Sequence, residues 1–285
     1  MFIPIIVYFI IFSYLPMGGI IIAFQNFRPA QGILGSKFVG MKNFMDFFRS
    51  VYFTRVLRNT VVLSLLSLLI CFPLPIVFAL LLNELRNLRF KKAIQTISYM
   101  PYFISLVVLA GIIIDFTSSD GLVGGTIMEM FTGKKVNLLA DPKYFRAVMI
   151  ISELWQGLGY SSIIYVAALS GVDQEQYEAA EIDGANRWQQ TMHITIPGIS
   201  STIIIMLILK CGSLLAVGSE KIILLYNANT YETADVISTF VYRIGITNSK
   251  FDRATAVGLF QSVIGLVLIT IANAASRLFD EQGIW

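Results

Sequence analysis

The chain has 285 residues, of which 56% are hydrophobic and only 14% are charged, and its mean hydropathy is +0.72. Soluble domains carry about 25% charged residues, so this deficit predicts a membrane protein. One histidine and two cysteines are too few for a usual zinc site. The small net charge of +3 predicts no basic stripe for nucleic acid. We therefore expect neither a metal site nor a nucleic-acid partner.

Six charge-poor stretches are long enough to cross a bilayer, which takes about 20 apolar residues in a helix. They lie at 2–24, 57–83, 94–115, 147–170, 199–222 and 254–277. Lipid offers no hydrogen-bond partners, so only helices or closed barrels cross it, and runs this long predict helices. Pro73 and Pro75 lie midway along the second stretch and predict a bend there. The sequence thus predicts an all-α integral membrane protein with one transmembrane domain, residues 1–285.

The connections between these spans alternate in length. Three are long, at 25–56, 116–146 and 223–253, and they alternate with the short connection 84–93 and the acidic connection 171–198. The long and short connections therefore fall on opposite sides of the membrane. Within the last long connection, residues 231–246 place apolar side chains on one helical face, which predicts a helix at the membrane interface.

The charges give conflicting signals about orientation. Thirteen Lys and Arg residues lie in or beside the long connections, against six on the other side. That count alone places the long connections in the cytoplasm. However, the positive-inside rule is strongest for short loops, and the densest basic cluster is in the short connection 84–93. The residues alone leave the orientation open.

The acidic connection contains a spaced motif. Glu178-Ala179-Ala180 is followed after three residues by Gly184 and, after nine more, by Ile194-Thr195-Ile196-Pro197. This pattern resembles the EAA motif of the permease subunits of bacterial ABC importers, and departs from it only in having Ile196 where the family has Leu. Tyr165-Val166-Ala167-Ala168-Leu169 and the terminal Gly283-Ile284-Trp285 narrow the resemblance to LplB-like oligosaccharide permeases.

The resemblance covers essentially the whole chain and implies a type I ABC importer permease fold in a bacterial cytoplasmic membrane. In that family the EAA loop faces the cytoplasm and docks into an ATPase subunit, which places both termini inside. The implied partners are a second homologous permease, two ATPase subunits, an extracytoplasmic sugar-binding protein, the oligosaccharide and membrane lipid. ATP and Mg would be bound by the ATPase, with no cofactor and no catalytic residue in this chain. Family members usually have a basic tail before the first helix, so the resemblance also implies a short or incomplete N-terminus.

The residues of the acidic connection suit a docking helix. Ala and Glu are strong helix formers, so a helix is expected over 174–183, with Asp173 as its N-cap. Ala180 and Gly184 would form a strip of small residues, and Trp188 would extend it if the helix continued. The coupling candidates are Glu178, Ala179, Ala180, Asp183, Gly184, Trp188 and Pro197. Without the motif, an ordinary solvated connector would explain these residues equally well.

Polar residues inside the spans are candidates for the substrate pathway. A charge at mid-membrane costs about 2.5–3.5 kcal/mol on insertion scales, so such residues usually face inward. Sugars need hydrogen-bonding groups and aromatic faces, and the segment 153–160 offers both. The pathway candidates are Glu153, Trp155, Gln156, Tyr160, Lys210, Ser213 and Gln261. The alternative, that these groups join helices to each other, stays open.

Other functional classes fit less well. Thr132-Gly133-Lys134-Lys135 lacks the first glycine and the final Ser or Thr of a phosphate-binding loop, so the energy would come from a separate ATPase. An ion-coupled secondary transporter usually shows repeated halves and intramembrane carboxylates, and here Glu153 is the only deep carboxylate. A permease for another small solute remains the nearer alternative. The sequence therefore predicts one half of the translocation pathway of an oligosaccharide importer.

Overall fold

The structure is a computed structural model that describes residues 2–216 and 218–277. The terminal Gly283-Ile284-Trp285 lies outside the described residues. In chain order the main helices are α1 (Phe2–Phe24), α2 (Lys42–Phe48), α3 (Phe53–Asn83), α4 (Leu88–Tyr99), α5 (Leu106–Thr132), α6 (Pro142–Leu169), α7 (Gln174–Ile182), α8 (Arg187–Gly198), α9 (Ser200–Gly212), α10 (Ser219–Leu225), α11 (Tyr231–Ala234), α12 (Ile237–Tyr242) and α13 (Phe251–Arg277). Between α1 and α2, Gln25–Asn26 pairs with Lys37–Phe38 in a short antiparallel ladder.

The all-α membrane fold is confirmed. Within the described residues, α1, α3, α5 and α13 are each long and apolar enough to cross a membrane, and α8 with α9 forms a fifth such path, bent by 60°. Helix α6 has 28 residues, about 42 Å at 1.5 Å per residue, and therefore exceeds the roughly 30 Å hydrocarbon core. Polar side chains along α6 make it less apolar than the others. A count of six membrane crossings stays a prediction.

The prolines of α3 are accommodated without ending the helix. Ser67–Cys71 forms a π-helical turn directly before Pro73, and the helix continues to Asn83 as one 31-residue segment. A π turn of this kind absorbs the hydrogen bonds that proline cannot make. It also places Ser67 inside the bundle, where its side chain is fully buried.

The third predicted span, 94–115, is wrong as a single helix. Helix α4 ends at Tyr99, a 3₁₀ turn covers Met100–Phe103, and α5 begins at Leu106. Pro101 is the second residue of that turn, and it has no backbone N–H to donate the hydrogen bond that would continue α4. Helix α4 instead packs against α6, where a Cβ on Gly159 would lie 2.3 Å from the Ser98 carbonyl oxygen. Only glycine permits so close an approach of two helix backbones.

The predicted interfacial helix over 231–246 is also wrong. The segment breaks at Asp235 and Val236, both in extended conformations, so α11 and α12 are separate short helices. Val236 and Phe240 are buried, and Phe240 packs with Phe47. The apolar face that the sequence pattern assigns to lipid is therefore covered by other parts of the chain.

Candidate functional site

The acidic connection forms a short helix with both ends capped. Asp173 Oδ1 accepts a hydrogen bond of 3.0 Å from the Glu175 amide at the N-terminus of α7. At the other end the Ala185 amide donates to Ala180 O at 2.9 Å, and the Gly184 amide donates to Glu181 O at 3.1 Å. These two bonds form a Schellman C-cap, in which the residue after the cap takes the left-handed conformation. Gly184 has φ +80°, so the predicted N-cap, helix and glycine turn are confirmed.

The helix does not continue to Trp188, so the predicted single strip of small residues is wrong. After the turn at Gly184, Asn186 caps a new helix through a reciprocal capping box with Gln189. Trp188 lies on this second helix, α8, with 68% of its surface exposed. Pro197 lies near the end of α8, two residues before the 60° bend at Ile199. The helical path to the fifth span therefore begins about ten residues before this proline.

The connection presents an exposed surface that is both acidic and apolar. We define the coupling surface as Glu178, Ala179, Ile182, Asp183, Gly184 and Trp188, all of them exposed. Ile182 is 87% exposed. The neighbouring Ala180 is half-buried. None of the acidic side chains between Asp173 and Asp183 forms an ion pair with another described residue, whereas Arg187 pairs with Glu84 at 3.1 Å. The surface is thus left with uncompensated negative charge around large apolar side chains.

A second site lies inside the bundle around Glu153. Glu153 Oε1 accepts a hydrogen bond of 2.8 Å from Ser67 Oγ and lies 3.4 Å from Lys210 Nζ. These contacts join α3, α6 and α9. The side chains of Glu153 and Lys210 are 33% and 32% exposed, because they border a cavity of about 260 Å³ that Gln156 and Tyr102 also line. The structure therefore brings together the two intramembrane charges that the sequence singles out.

This cavity adjoins two others. One, of about 280 Å³, shares Cys71, Pro75, Ser161 and Lys210 with it and also includes Ser213. The other, of about 330 Å³, shares Glu153 and Gln156 with it and reaches α10. The three cavities therefore lie next to one another along α6, with polar and apolar groups in their walls. Their lining suits a solute with many hydroxyl groups, since hydroxyl, amide and charged groups alternate with aromatic and aliphatic walls.

The aromatic candidates on α6 separate into two positions. Tyr160 stacks on Tyr102, with ring centroids 3.7 Å apart and planes 3° from parallel, beside the Glu153 cavity. Trp155 instead lines a separate apolar cavity with Ile112 and Phe116. A helix turns about 100° per residue, so position 155 lies far around α6 from position 153, whereas 156 and 160 share its face. The structure does not bring Trp155 to the polar cavity.

The last two candidates make contacts between or within helices. Gln261 Nε2 donates a 2.8 Å hydrogen bond to Leu215 O and so joins α13 to the segment after α9. Ser213 Oγ donates to Lys210 O at 3.2 Å. Both residues also line a further cavity of about 690 Å³ between α9 and α13. For Gln261 the helix-joining alternative is therefore present in the structure, alongside its position at a cavity wall.

One residue at the polar cavities is missed by the sequence reasoning. Lys221, on α10, is only 7% exposed and lines the cavity that contains Glu153 and Gln156. It is the second basic residue inside the predicted span 199–222. A charge within a predicted span is the signal that would have marked it as a pathway candidate.

The comparisons with known proteins agree with this arrangement of loop and cavities. The family described as "Binding-protein-dependent transport system inner membrane component" matches residues 72–282. That range contains both the coupling surface and Glu153. The chain belongs to this permease family. Within residues 2–216 and 218–277, no three His, Cys, Asp or Glu side chains come together as a metal site.

Individual relatives of this permease are similar along its whole length. It is 44% identical over 285 residues to the polygalacturonan/rhamnogalacturonan transport system permease protein YteP of Bacillus subtilis strain 168, covering 100% of this chain and 89% of that protein. It is also 44% identical to protein LplB of the same organism, with 99% and 89% covered. A bacterial ABC transporter that imports the acidic polysaccharide alginate has a chain with TM-score 0.89 and 43% identity, covering 96% of this permease and 93% of that chain.

Packed side chains connect the coupling surface to the polar cavities of the permease. Tyr177 on α7 is hydrogen-bonded to Thr195 on α8 at 2.9 Å. Beyond the bend, Ile199 packs in a buried cluster with Leu169 and Tyr165. Tyr165 in turn lines the same cavity as Lys210. Close contacts therefore run from α7 to the cavity that Lys210 lines.

Proposed function

We propose that this permease imports oligosaccharides, forming half of a translocation pathway that is driven by a separate ATPase. The relatives named for polygalacturonan/rhamnogalacturonan transport and alginate import support a sugar substrate. So does the cavity that combines Glu153, Gln156 and Lys210 with Tyr102, whose ring stacks on Tyr160. Stacked rings suit the flat C–H faces of sugar rings, and the polar groups suit their hydroxyls. Import of another small solute is the alternative.

The proposed assembly contains a second homologous permease, two ATPase subunits that bind ATP and Mg, and an extracytoplasmic sugar-binding protein. A similar structure, with TM-score 0.91 and 42% identity, is an alginate transporter in complex with an alginate pentasaccharide-bound periplasmic protein. We place the connection 171–198 and both termini in the cytoplasm. The dense basic cluster at 84–93 supports this side, because short basic loops stay in the cytoplasm.

The observation that carries the proposal is the exposed coupling surface. Ile182 is 87% and Trp188 68% exposed, beside carboxylates that have no counter-ion in the described chain. Large exposed apolar side chains flanked by charge are typical of a docking site, since aromatic anchors supply affinity and charges supply register. A groove with basic residues on an ATPase fits this surface.

The geometry explains how ATP binding would drive transport. Closure of the ATPase pair moves α7 and α8 as a rigid unit, because both helices are capped and Tyr177 joins them through Thr195. The cluster of Ala79, Tyr165, Leu169 and Ile199 then carries the movement to α3, α6 and α9. Those are the helices whose side chains meet at Glu153. The pathway opens to the other side when these helices shift.

Uptake by the reconstituted importer tests the proposal. Gly184→Val would strain the turn and Glu178→Lys would reverse a charge of the coupling surface, so we expect sugar uptake and substrate-stimulated ATP turnover to fall while the protein still inserts into the membrane. Glu129→Lys, at an exposed acid on α5, is the matched control and should behave as wild type. Normal stimulated ATP turnover in both coupling variants would refute the docking role.

A further inference from the structure

Lys221 is a largely buried lysine at the wall of a cavity. Only 7% of its surface is exposed, yet its ammonium forms no ion pair and no hydrogen bond with any residue in 2–216 or 218–277. Burying a charge without a partner is costly, so such groups are usually paired or neutralised. Its surroundings include a cavity of about 330 Å³. The cavity leaves room beside Lys221 for an anionic group from outside the chain.

Neither nearby carboxylate forms an ion pair with Lys221 among the described residues. Glu153 is held by Lys210 at 3.4 Å and by Ser67 at 2.8 Å. Glu220 also lines the cavity but is exposed to solvent. Adjacent residues on a helix point about 100° apart and do not face each other. The inner cluster of Glu153, Lys210 and Lys221 therefore has one cation in excess.

The position of Lys221 places that excess charge on the pathway. Its cavity shares Glu153 and Gln156 with the cavity that contains Tyr102 and Lys210. A solute that moves along the inward face of α6 passes both lysines. Gln156 lines both cavities. Its amide can bind a hydroxyl group of that solute, since it both donates and accepts hydrogen bonds.

We propose that Lys221 pairs with a sugar carboxylate during passage, so that the permease carries acidic oligosaccharides containing uronic acid units. This inference rests on the proposed function and specifies its substrate class. The ammonium donates charge-assisted hydrogen bonds to the carboxylate, which are about twice as strong as bonds between neutral groups. Neutral sugars pass the same cavity without this pairing. Lys221 thus determines specificity within the permease, in addition to any selection by the binding protein.

The test compares uptake of two probes by the importer reconstituted in liposomes with its ATPases and binding protein. One probe is a short oligogalacturonate, and the other is the same chain with its carboxyl groups reduced to primary alcohols. We expect Lys221→Met to lower uptake of the acidic probe about tenfold or more, as for a lost hydrogen bond between charged groups. Uptake of the neutral probe should not fall. Lys221→Arg should restore uptake of the acidic probe, and Lys135→Met, at an exposed lysine, is the matched control.

A stability measurement separates a binding role from a structural one. Because Lys221→Met removes an unpaired buried charge, the purified complex should be at least as resistant to heat as wild type while acidic uptake falls. Wild-type uptake of the acidic probe by Lys221→Met, or an equal loss of both probes, would overturn the inference. So would a wild-type importer that carries the neutral probe but not the acidic one. A failure of the proposed function itself gives a different result. In that case ATP turnover by the wild-type importer does not rise when the sugar-loaded binding protein is added.

Discussion

The phenol oxygen of Tyr177 lies 2.9 Å from the hydroxyl oxygen of Thr195. Thr195 is only 4% exposed and also donates to Gln190 O at 3.3 Å, so this contact is shielded from water. This hydrogen bond joins a side chain of α7 to α8, the helix leading into the bent fifth span. The Tyr177 hydroxyl group therefore links α7, which carries part of the coupling surface, to that helix.

Tyr177→Phe removes this bond and keeps the ring. A hydrogen bond of this kind contributes about 0.5–1.5 kcal/mol, so we expect sugar transported per ATP hydrolysed to fall about two- to tenfold. Tyr14→Phe, at a 65% exposed residue of α1, is the control and should leave the ratio unchanged. The measurement is paired uptake and phosphate release in proteoliposomes. A wild-type ratio in Tyr177→Phe would mean that the bond does not transmit the movement.

Gly184 is required for its backbone conformation rather than for lack of space. Its φ is +80°, and a Cβ at this position would meet no atom within 4 Å. Asn tolerates the left-handed region, whereas β-branched residues are strained there. We therefore expect Gly184→Asn to couple transport nearly as well as wild type, and Gly184→Val to lose most coupling. If a bound ATPase instead approaches Gly184 closely, both variants will fail equally, which contradicts the conformational explanation.

The Glu153–Lys210 pair offers a charge-exchange test. Glu153→Gln leaves Lys210 without its ion-pair partner, and Lys210→Gln leaves Glu153 with only Ser67. Both single variants should lower the thermal stability of the purified permease, by an amount between the 0–1 kcal/mol of exposed pairs and the 3–5 kcal/mol of buried ones. Exchanging the two residues in one double variant should recover part of the loss. Strictly additive losses in the double variant would show that the two side chains do not interact.

The predictions from sequence were correct where the local structure depends on residues close together in the chain. Asp173, the Ala- and Glu-rich run and Gly184 specify a cap, a helix and a turn within twelve residues, and the helix ends within one residue of its predicted end. The apolar runs that form α1, α3 and α13 are also recognisable from composition, because the bilayer imposes a minimum helix length. Such features need no knowledge of distant contacts.

The predictions from sequence failed where contacts between distant parts of the chain determine the structure. Phe240 has the spacing of a lipid-facing residue, and packing against Phe47 determines that it is buried. Trp155 lies two residues from Glu153, and its direction follows from which face of α6 turns inward. Lys221 is close in sequence to the exposed Glu220, and tertiary contacts alone bury it. These contacts involve residues far apart in the chain, so no short sequence pattern reveals them.

Asp235 anchors a buried polar cluster that holds α12 against α3. Its side chain is fully buried, and its oxygens accept hydrogen bonds from Arg243 at 2.7 and 3.0 Å, from Arg55 at 3.2 Å and from Thr239 at 3.0 Å. Burial acts to lower the pKa of Arg243, but the hydrogen bonds and charge of Asp235 contribute to a net shift above its ordinary value. The hydrogen bonds and charge of Asp235 therefore stabilise the charged form of Arg243.

Asp235→Asn should consequently be among the most damaging single changes in the chain. Removing one partner of a buried ion pair costs about 3–5 kcal/mol, because the remaining charge stays buried. Asp46→Asn breaks a comparable pair with Arg253 at 3.4 Å, in which the side chains are 36% and 48% exposed, and exposed pairs contribute about 0–1 kcal/mol. We expect little folded Asp235→Asn protein in detergent extracts and near-normal amounts of Asp46→Asn, measured by size-exclusion chromatography after heating. Equal recovery of the two variants would show that the cluster around Asp235 does not stabilise the fold.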